Sequence, residues 1–344
     1  MDYKDMNSTA AALPERVADQ LARHYGLTAD HARRVTVGAG SETYIVDCKG
    51  ERFVLKYPSA GGINHPELEP ALCRFLLDRG LPVSEFLPDL RGEFLCREDG
   101  AVFHLQRFIE GDNLGLNKAP DWFMRESGEL LGRIHAVLRD YPPLPEGIGA
   151  GFIAHMTPLT ALASYERSLL TARELGDKGS AADIEYRIGL MKRFPQMDVD
   201  VARLTCLNTH GDYFISQMLC GDGRINAVID WTTACVHPAV WEIIRSFVYA
   251  APSAAGGAVD ADELLAYTAC YLKHGRLTND DLRVMPDLFF YQIAVCDYYG
   301  QYYGSSAANR EIYLRQAVFS TGLMKWLEER RGKLSSALLD AFGH

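Results

Sequence analysis

None of the chain's eight cysteines forms a Cys-x-x-Cys pair. That removes the spacing of a zinc ribbon and of a redox dithiol, and scattered single cysteines make no disulfide framework. A reducing compartment is the simpler reading. The chain also lacks an apolar run of membrane-spanning length, and its start, MDYKDMNSTAAALPERV, is charged where a secretory leader is apolar. It has no excess of positive charge. The formal net charge is −10 at pH 7, whereas nucleic acid and anionic membranes select basic surfaces. No internal repeat or long low-complexity tract is present. The expectation is a cytoplasmic protein, monomeric or homodimeric, that binds neither nucleic acid nor membrane. What the chain does have is material for a core, with 344 residues of which 48% are hydrophobic, enough for two domains.

The stretch from Cys206 to Trp231 is the most informative. Leu204, Cys206 and Asn208 alternate with Thr205, Leu207 and Thr209, as in a strand, and His210-Gly211-Asp212 breaks the pattern. Two apolar runs, Met218 to Cys220 and Ile225 to Trp231, then flank Gly221-Asp222-Gly223, a strong hairpin signal. Asp230 stands out. It falls inside Val228-Ile229-Asp230-Trp231, where a strand would bury it, and a buried carboxylate needs a cation or several donors. Two carboxylates, Asp212 and Asp230, therefore flank one hairpin, an arrangement suited to holding a metal ion and accepting a proton beside it. Other chemistries fare worse. Cys206 and His210 sit on one strand and loop, whereas a nucleophile and its base usually come from separate segments. A zinc pair of His210 and Asp212 lacks further ligands at metal spacing.

Upstream, the first dozen residues are expected to be disordered, and Leu13 to Tyr25 reads as an amphipathic helix ended by Gly26. A strand is expected to start at Val35-Thr36-Val37 and run into Gly38-Ala39-Gly40-Ser41. The chain returns through Tyr44 to Cys48, turns at Lys49-Gly50 and continues from Arg52 to Tyr57. A glycine loop between paired strands can lay backbone N–H groups against phosphates, though Gly-x-Gly in a hairpin is often only a turn. Lys56 follows one hairpin later, on the strand face of Val54; a lysine in a strand is also a common edge device. Glu67 and Glu69 open the next helix, because Pro70 is tolerated only in a first turn. Phe86 to Cys96 and Val102 to Phe108 read as further strands joined at Glu98-Asp99-Gly100. Asp121 to Leu138 reads as a helix with Trp122, Leu130, Leu131, Ile134 and Leu138 on one face. His135 on that face is read as a hydrogen-bonded core residue. Further helices are expected over Pro158 to Leu175, Ala181 to Phe194, Asp262 to His274, Asp280 to Tyr303 and Arg310 to Glu329. The aromatic residues around Phe289 and Tyr303 read mainly as core, with Asp297 among them as a candidate substrate contact.

His210-Gly211-Asp212-x-x-x-x-Gln217 followed by Ile229-Asp230-Trp231 resembles the HGDxxxxN and IDW pattern of the aminoglycoside phosphotransferase family. That kinase-like group also includes choline, homoserine and methylthioribose kinases. The resemblance runs from about Val35 to Phe247. It implies an α+β, two-lobed protein-kinase-like fold, with a small antiparallel-sheet lobe over residues 1–108 and a larger, mostly helical lobe over 109–344. ATP, or another nucleoside triphosphate, would bind between the lobes with Mg²⁺. By resemblance Asp212 is the catalytic base, Asp230 the main metal ligand, and Gln217 a second ligand where the family carries asparagine. Gly38, Gly40 and Ser41 would approach the phosphates. Lys56 would pair with them, steadied by Glu69 or Glu67, the spacing to Gly80-Leu81-Pro82-Val83 favouring Glu69. Gln106 and Phe108 would belong to the hinge that meets the base. His237 and Glu242 stand in aspartate positions of the family's DPxxxDL segment, where an acid braces the catalytic loop. The implied reaction moves a γ-phosphate to a hydroxyl of a small molecule, an aminoglycoside-type antibiotic or a related amino metabolite. A pseudokinase, silenced at Gln217, is the alternative.

Overall fold

The computed structural model describes residues 14–35, 41–59, 64–146, 157–194, 199–305 and 307–343. The fold is α+β and divides into two compact units, residues 1–114 with 216–234, and residues 115–215 with 235–344. Residues 109–114 and the hairpin over residues 218–228 thus group with the N-terminal sheet.

In the first unit, α1 (Glu15–Gln20) runs on as a π-helical turn, Leu21–Tyr25, and stops at Gly26 with φ +65°. The sheet contains β1 (His31–Val35), β2 (Ser41–Cys48), β3 (Glu51–Pro58), β4 (Phe86–Leu87), β5 (Cys96–Glu98) and β6 (Ala101–Arg107). Its order is β1-β2-β3-β6-β4, β5 pairing with β6, and every pairing is antiparallel. Lys49-Gly50 and Asp99-Gly100 both take positive φ, the twist a two-residue hairpin turn requires. Strand alternation sends Val46, Leu55, Phe103 and Leu105 into a core with Val17 and Leu21. Two strand expectations need correction. The first strand already begins at His31, four residues before Val35, and the rest of that expectation, from Thr36 to Gly40, lies outside the described residues. Phe86 to Cys96 is no continuous strand, because the Asp89 carboxylate accepts from the backbone N–H groups of Arg91 (2.8 Å) and Glu93 (2.9 Å) and turns the chain after Pro88. α2 (Glu69–Leu77) carries Pro70 in its first turn.

The hairpin of β8 (Met218–Gly221) and β9 (Arg224–Val228) is stitched to this unit by its backbone. Asp112 and Cys220 exchange two N–H···O bonds of 2.9 Å, and the Val228 N–H donates to Pro82 O at 2.8 Å. Asn113 Nδ2 donates to Ser216 O (2.7 Å) and Met218 O (3.0 Å). A side chain at Gly111, where φ is +147°, would meet the Cys220 backbone at 3.0 Å, so this seam requires glycine.

The second unit is mostly helical. Its helices are α3 (Asp121–Leu138), α4 (Pro158–Glu174), α5 (Lys178–Arg193), α6 (Ala239–Ala250), α7 (Ala261–Leu272), α8 (Asn279–Val295), α9 (Tyr298–Gly304) and α10 (Ala307–Phe342). β7 (Cys206–Thr209) and β10 (Cys235–Pro238) form a two-stranded ladder. α3 has the bounds its periodicity predicts, and Gly132 lets it approach α7, since a Cβ there would lie 2.3 Å from Tyr271 O. The helix expected over Asp280–Tyr303 is two helices. Asp297 breaks it by capping α9, accepting from the Gly300 N–H at 2.8 Å and from Ser164 and Ser168 hydroxyls at 2.7 and 2.8 Å. Three bonds of its carboxylate are thereby committed inside the fold, where the residue is buried. Phe289, Phe290, Tyr291 and Tyr299 are buried, as core packing demands.

Candidate active site

In the first unit β3 carries Lys56, whose side chain is only 9% exposed, and its Nζ donates to Asp230 Oδ1 at 2.7 Å. Asp230 does not lie in a strand. β9 ends at Val228, and Asp230 takes a left-handed conformation (φ 63°, ψ 65°) before the short turn Trp231–Thr233. Aspartate tolerates that region better than most residues, and the turn swings its carboxylate out of the apolar alternation. Thr232 Oγ1 donates to the same Oδ1 at 3.0 Å. Burial alone would lower the Lys56 pKa, but Glu69 and then Asp230 outweigh it and hold the ammonium above its ordinary value. Lys56 is therefore a fixed positive charge.

Glu69 is the glutamate brought to this lysine. It is buried at the start of α2, and its Oε1 accepts from the Trp231 N–H at 2.9 Å. Glu67 is half exposed and lies 3.2 Å from His65 Nδ1. Glu69 acts on Lys56 through its field, the direct ion pair going to Asp230. Burial raises the Glu69 pKa, opposed by Lys56. Gln217 closes the turn Ile215–Gln217, and its carbonyl accepts from the Ile229 N–H at 2.9 Å, so the backbones of Gln217 and of the residue before Asp230 are joined at the base of one hairpin. The set of carboxylate and amide oxygens at that base suits a hard divalent cation such as Mg²⁺. Ser41 opens β2, and Gln106 is buried in β6 opposite Val54 and Phe86. Phe108 lies beneath the Arg52 guanidinium, 4.2 Å from carbon to ring centroid. Gly38 and Gly40 lie outside the described residues.

In the second unit the His210-Gly211-Asp212 loop follows β7. Gly211 takes φ +79°, and its N–H donates to Glu242 Oε1 at 2.5 Å. The other Glu242 oxygen lies 2.9 Å from His135 Nε2, and His135 Nδ1 lies 3.0 Å from the Tyr271 hydroxyl. Glu242 is therefore the acid that braces the loop, and His135 is the hydrogen-bonded core residue the sequence suggests. Burial would raise the Glu242 pKa, but His135, His210 and His237 together hold it below the usual carboxylate value. The Asp212 N–H donates to His210 Nδ1 at 3.2 Å. Asp212 Oδ1 lies 2.6 Å from Arg245 Nη2.

A family model described as the phosphotransferase enzyme family matches residues 31–277, well over half the chain. The chain belongs to that family. Hydroxylysine kinase of Danio rerio is 23% identical over 252 residues, which is 68% of this chain and 69% of that protein. Among solved structures, a spectinomycin phosphotransferase in complex with ADP and spectinomycin superposes with a TM-score of 0.57 at 15% identity, covering 95% of this chain and 97% of that one. An amicoumacin kinase with AMP-PNP and Ca²⁺ gives 0.60 at 14% identity over 90% and 93%. A microcompartment-associated aminopropanol kinase gives 0.59 at 14% over 93% and 98%. The fold is that of the kinase-like phosphotransferases.

Within this phosphotransferase the sequence reading missed Arg245. An arginine three residues after Glu242 looks like an ordinary helix-surface residue. The signal was the company it keeps, since every other residue of α6 from Ala239 to Ala250 is buried. A second charge, beside that of Glu242, on so apolar a helix needs a partner.

Proposed function

We propose that this phosphotransferase is an active kinase, moving the γ-phosphate of ATP or another nucleoside triphosphate to a hydroxyl of a small, amino-bearing molecule. The observation that carries the reading is the Lys56–Asp230 contact of 2.7 Å beside buried Glu69. It supplies a lysine for phosphate oxygens and a carboxylate for a metal on one framework. Lys56 neutralises phosphate charge, while Glu69 keeps the ammonium in place. Asp230 and Gln217 would hold Mg²⁺, which when bound neutralises charge on the phosphates of the nucleotide. Gly38, Gly40 and Ser41 approach those phosphates, and Gln106 and Phe108 belong to the segment that meets the base. Asp212 orients the acceptor hydroxyl and takes its proton as the hydroxyl oxygen bonds to the γ-phosphorus. The bond from that phosphorus to the bridging oxygen breaks, its electrons leaving on the nucleoside diphosphate. Positioning and charge neutralisation supply most of such catalysis.

The similar proteins support a small acceptor: their names give hydroxylysine, spectinomycin, amicoumacin and aminopropanol, all hydroxylated amines. Their complexes with ADP, or with AMP-PNP and Ca²⁺, support use of a nucleotide and a divalent cation. The test is an acceptor screen read by mass, in which one acceptor gains a phosphoryl group in the presence of MgATP. Nucleotide binding with no transfer to any hydroxylated amine would favour the pseudokinase reading, to which Gln217 in place of asparagine gives its one support.

A further inference from the structure

α6 grips the catalytic loop twice. Glu242 takes the Gly211 N–H, and one turn on, Arg245 Nη2 meets Asp212 Oδ1 at 2.6 Å. The first grip explains the loop's shape. The second offers more than positioning requires. The Arg245 guanidinium carbon sits 4.6 Å from the Phe214 ring centroid, 5.1 Å from Trp241 and 5.4 Å from Tyr249. Those rings steady a cation and fix the plane of the fork. They do not provide a full hydrogen-bond acceptor, and Arg245 Nη1 is buried with no hydrogen-bond partner among the described residues. A charged donor left unmatched costs free energy, and natural sites keep such groups where a ligand completes them. Arginine's planar fork fits a carboxylate with two parallel bonds. The Arg245 side chain keeps 15% of its surface open, through atoms other than Nη1, and Asp212 keeps 29%, so the pair can be approached from the open side of the guanidinium.

We propose that Arg245 anchors a carboxylate on the acceptor, so that the molecule phosphorylated beside Asp212 is a hydroxy acid, most simply a hydroxy amino acid. This rests on Asp212 acting at the acceptor hydroxyl. An acceptor whose hydroxyl meets Asp212 brings its next few atoms past Arg245, and a carboxylate there shares the guanidinium with Asp212. Neutral or purely cationic acceptors, aminoglycosides included, leave Arg245 unmatched and meet its charge unfavourably. The site thus selects for an anion within a chain that carries net negative charge, which makes the positive point a specific one.

The test pairs each hydroxy amino acid with the amino alcohol left when its carboxylate is removed: serine with ethanolamine, homoserine with aminopropanol, hydroxylysine with diaminopentanol. Kanamycin serves as a polyhydroxylated acceptor without a carboxylate. In the wild-type protein at least one carboxylated member should exceed its twin in kcat/KM by roughly tenfold to a hundredfold, the worth of a charge-assisted hydrogen bond. Arg245→Met should bring the two twins together, whatever it does to the overall rate through a loosened Asp212. A merely structural arginine would lower both equally and leave their ratio intact. Arg245→Lys, which keeps the charge without the fork, should retain part of the preference and serves where the methionine variant does not fold. Equal use of the twins, transfer only to amino alcohols or kanamycin, or transfer to no panel member overturns the anchor. If transfer survives Asp212→Asn, the base assignment fails instead, and the two failures are told apart.

Discussion

Asp230 and Asp212 are both carboxylates held by a single cation, and they are about equally open, at 35% and 29% of side-chain surface. Their holders differ. Asp230 is met by Lys56, a compact charge on a flexible stem, which also lies in the field of Glu69. A lysine so placed can pass from one oxygen to another by rotating its stem, so Asp230 sits beside a partner able to let go when a metal or phosphate arrives. Asp212 is met by Arg245, whose guanidinium is flanked by three rings and whose helix also holds the loop backbone through Glu242. That pair is built to keep an orientation. One carboxylate belongs to an exchangeable network and the other to a rigid one, as expected of a ligand for a transient ion and of a base that must point at one hydroxyl.

The largest effects should separate these roles. Asp212→Asn removes the proposed proton acceptor while leaving Lys56, Glu69 and Asp230 intact. Turnover should fall by about 10²–10⁴-fold, with nucleotide affinity nearly unchanged in equilibrium dialysis. Near-native turnover would show that another group takes the proton. Asp230→Ala should do the reverse at the binding step, abolishing the Mg²⁺-dependent part of nucleotide binding. Tight MgATP binding by that variant would remove Asp230 from the metal.

Gln217 sharpens the comparison on the exchangeable side. Its arm is one methylene longer than that of asparagine, and Mg²⁺ tolerates geometric error poorly. Gln217→Ala should cost about one to several powers of ten in activity, eased by raising Mg²⁺, because a ligand on the phosphate-neutralising ion is lost. Gln217→Asn should retain substantial activity, since the same kind of oxygen is offered. A neutral alanine variant at every Mg²⁺ concentration would mean that Gln217 is not a ligand. Turnover by the asparagine variant alone would make the native protein a pseudokinase.

Much of this was legible because it is local. The Asp222-Gly223 hairpin, the glycine-ended first helix and the bounds of α3 follow from turn chemistry and periodicity. Pro70 placed a helix start near Glu67 and Glu69, and the spacing to Gly80-Leu81-Pro82-Val83 favoured Glu69 of the two. Asp230 was misplaced for an equally local reason. Val-Ile-Asp-Trp alternates like a strand, and only the end of the β9 ladder at Val228 frees the next residues to turn left-handed. The divided helix at Asp297 was hidden because the two serines that hold the capping carboxylate, Ser164 and Ser168, lie on α4, far away in sequence. Arg245 was invisible for the same cause: nothing in its neighbours along the chain announces Asp212.

The smallest effect concerns His237, the residue that stands with Glu242 in the family's acidic positions but braces nothing in the loop. It is buried in β10, its ring centroid 4.3 Å from that of Trp241 and its Nδ1 3.3 Å from Pro238 O. Burial lowers its pKa to about 4, helped by Arg245 and His135 and opposed by Pro238 O and Glu242. A folded-state value below the unfolded one means that the unfolded chain takes up the proton first as pH falls. Stability is therefore full above about 6.5, the ordinary histidine value, declines as pH falls, and reaches its full loss below about 4. The gap amounts to about 3 kcal/mol from this one group. Glu242, held low, adds a loss of the same sign at more acid pH. Thermal unfolding midpoints measured across this window should fall less steeply for His237→Gln than for the wild type, and the two should converge in slope above neutrality, where neither side chain is charged. Parallel slopes throughout would mean that the imidazole takes up its proton equally in the folded and the unfolded chain.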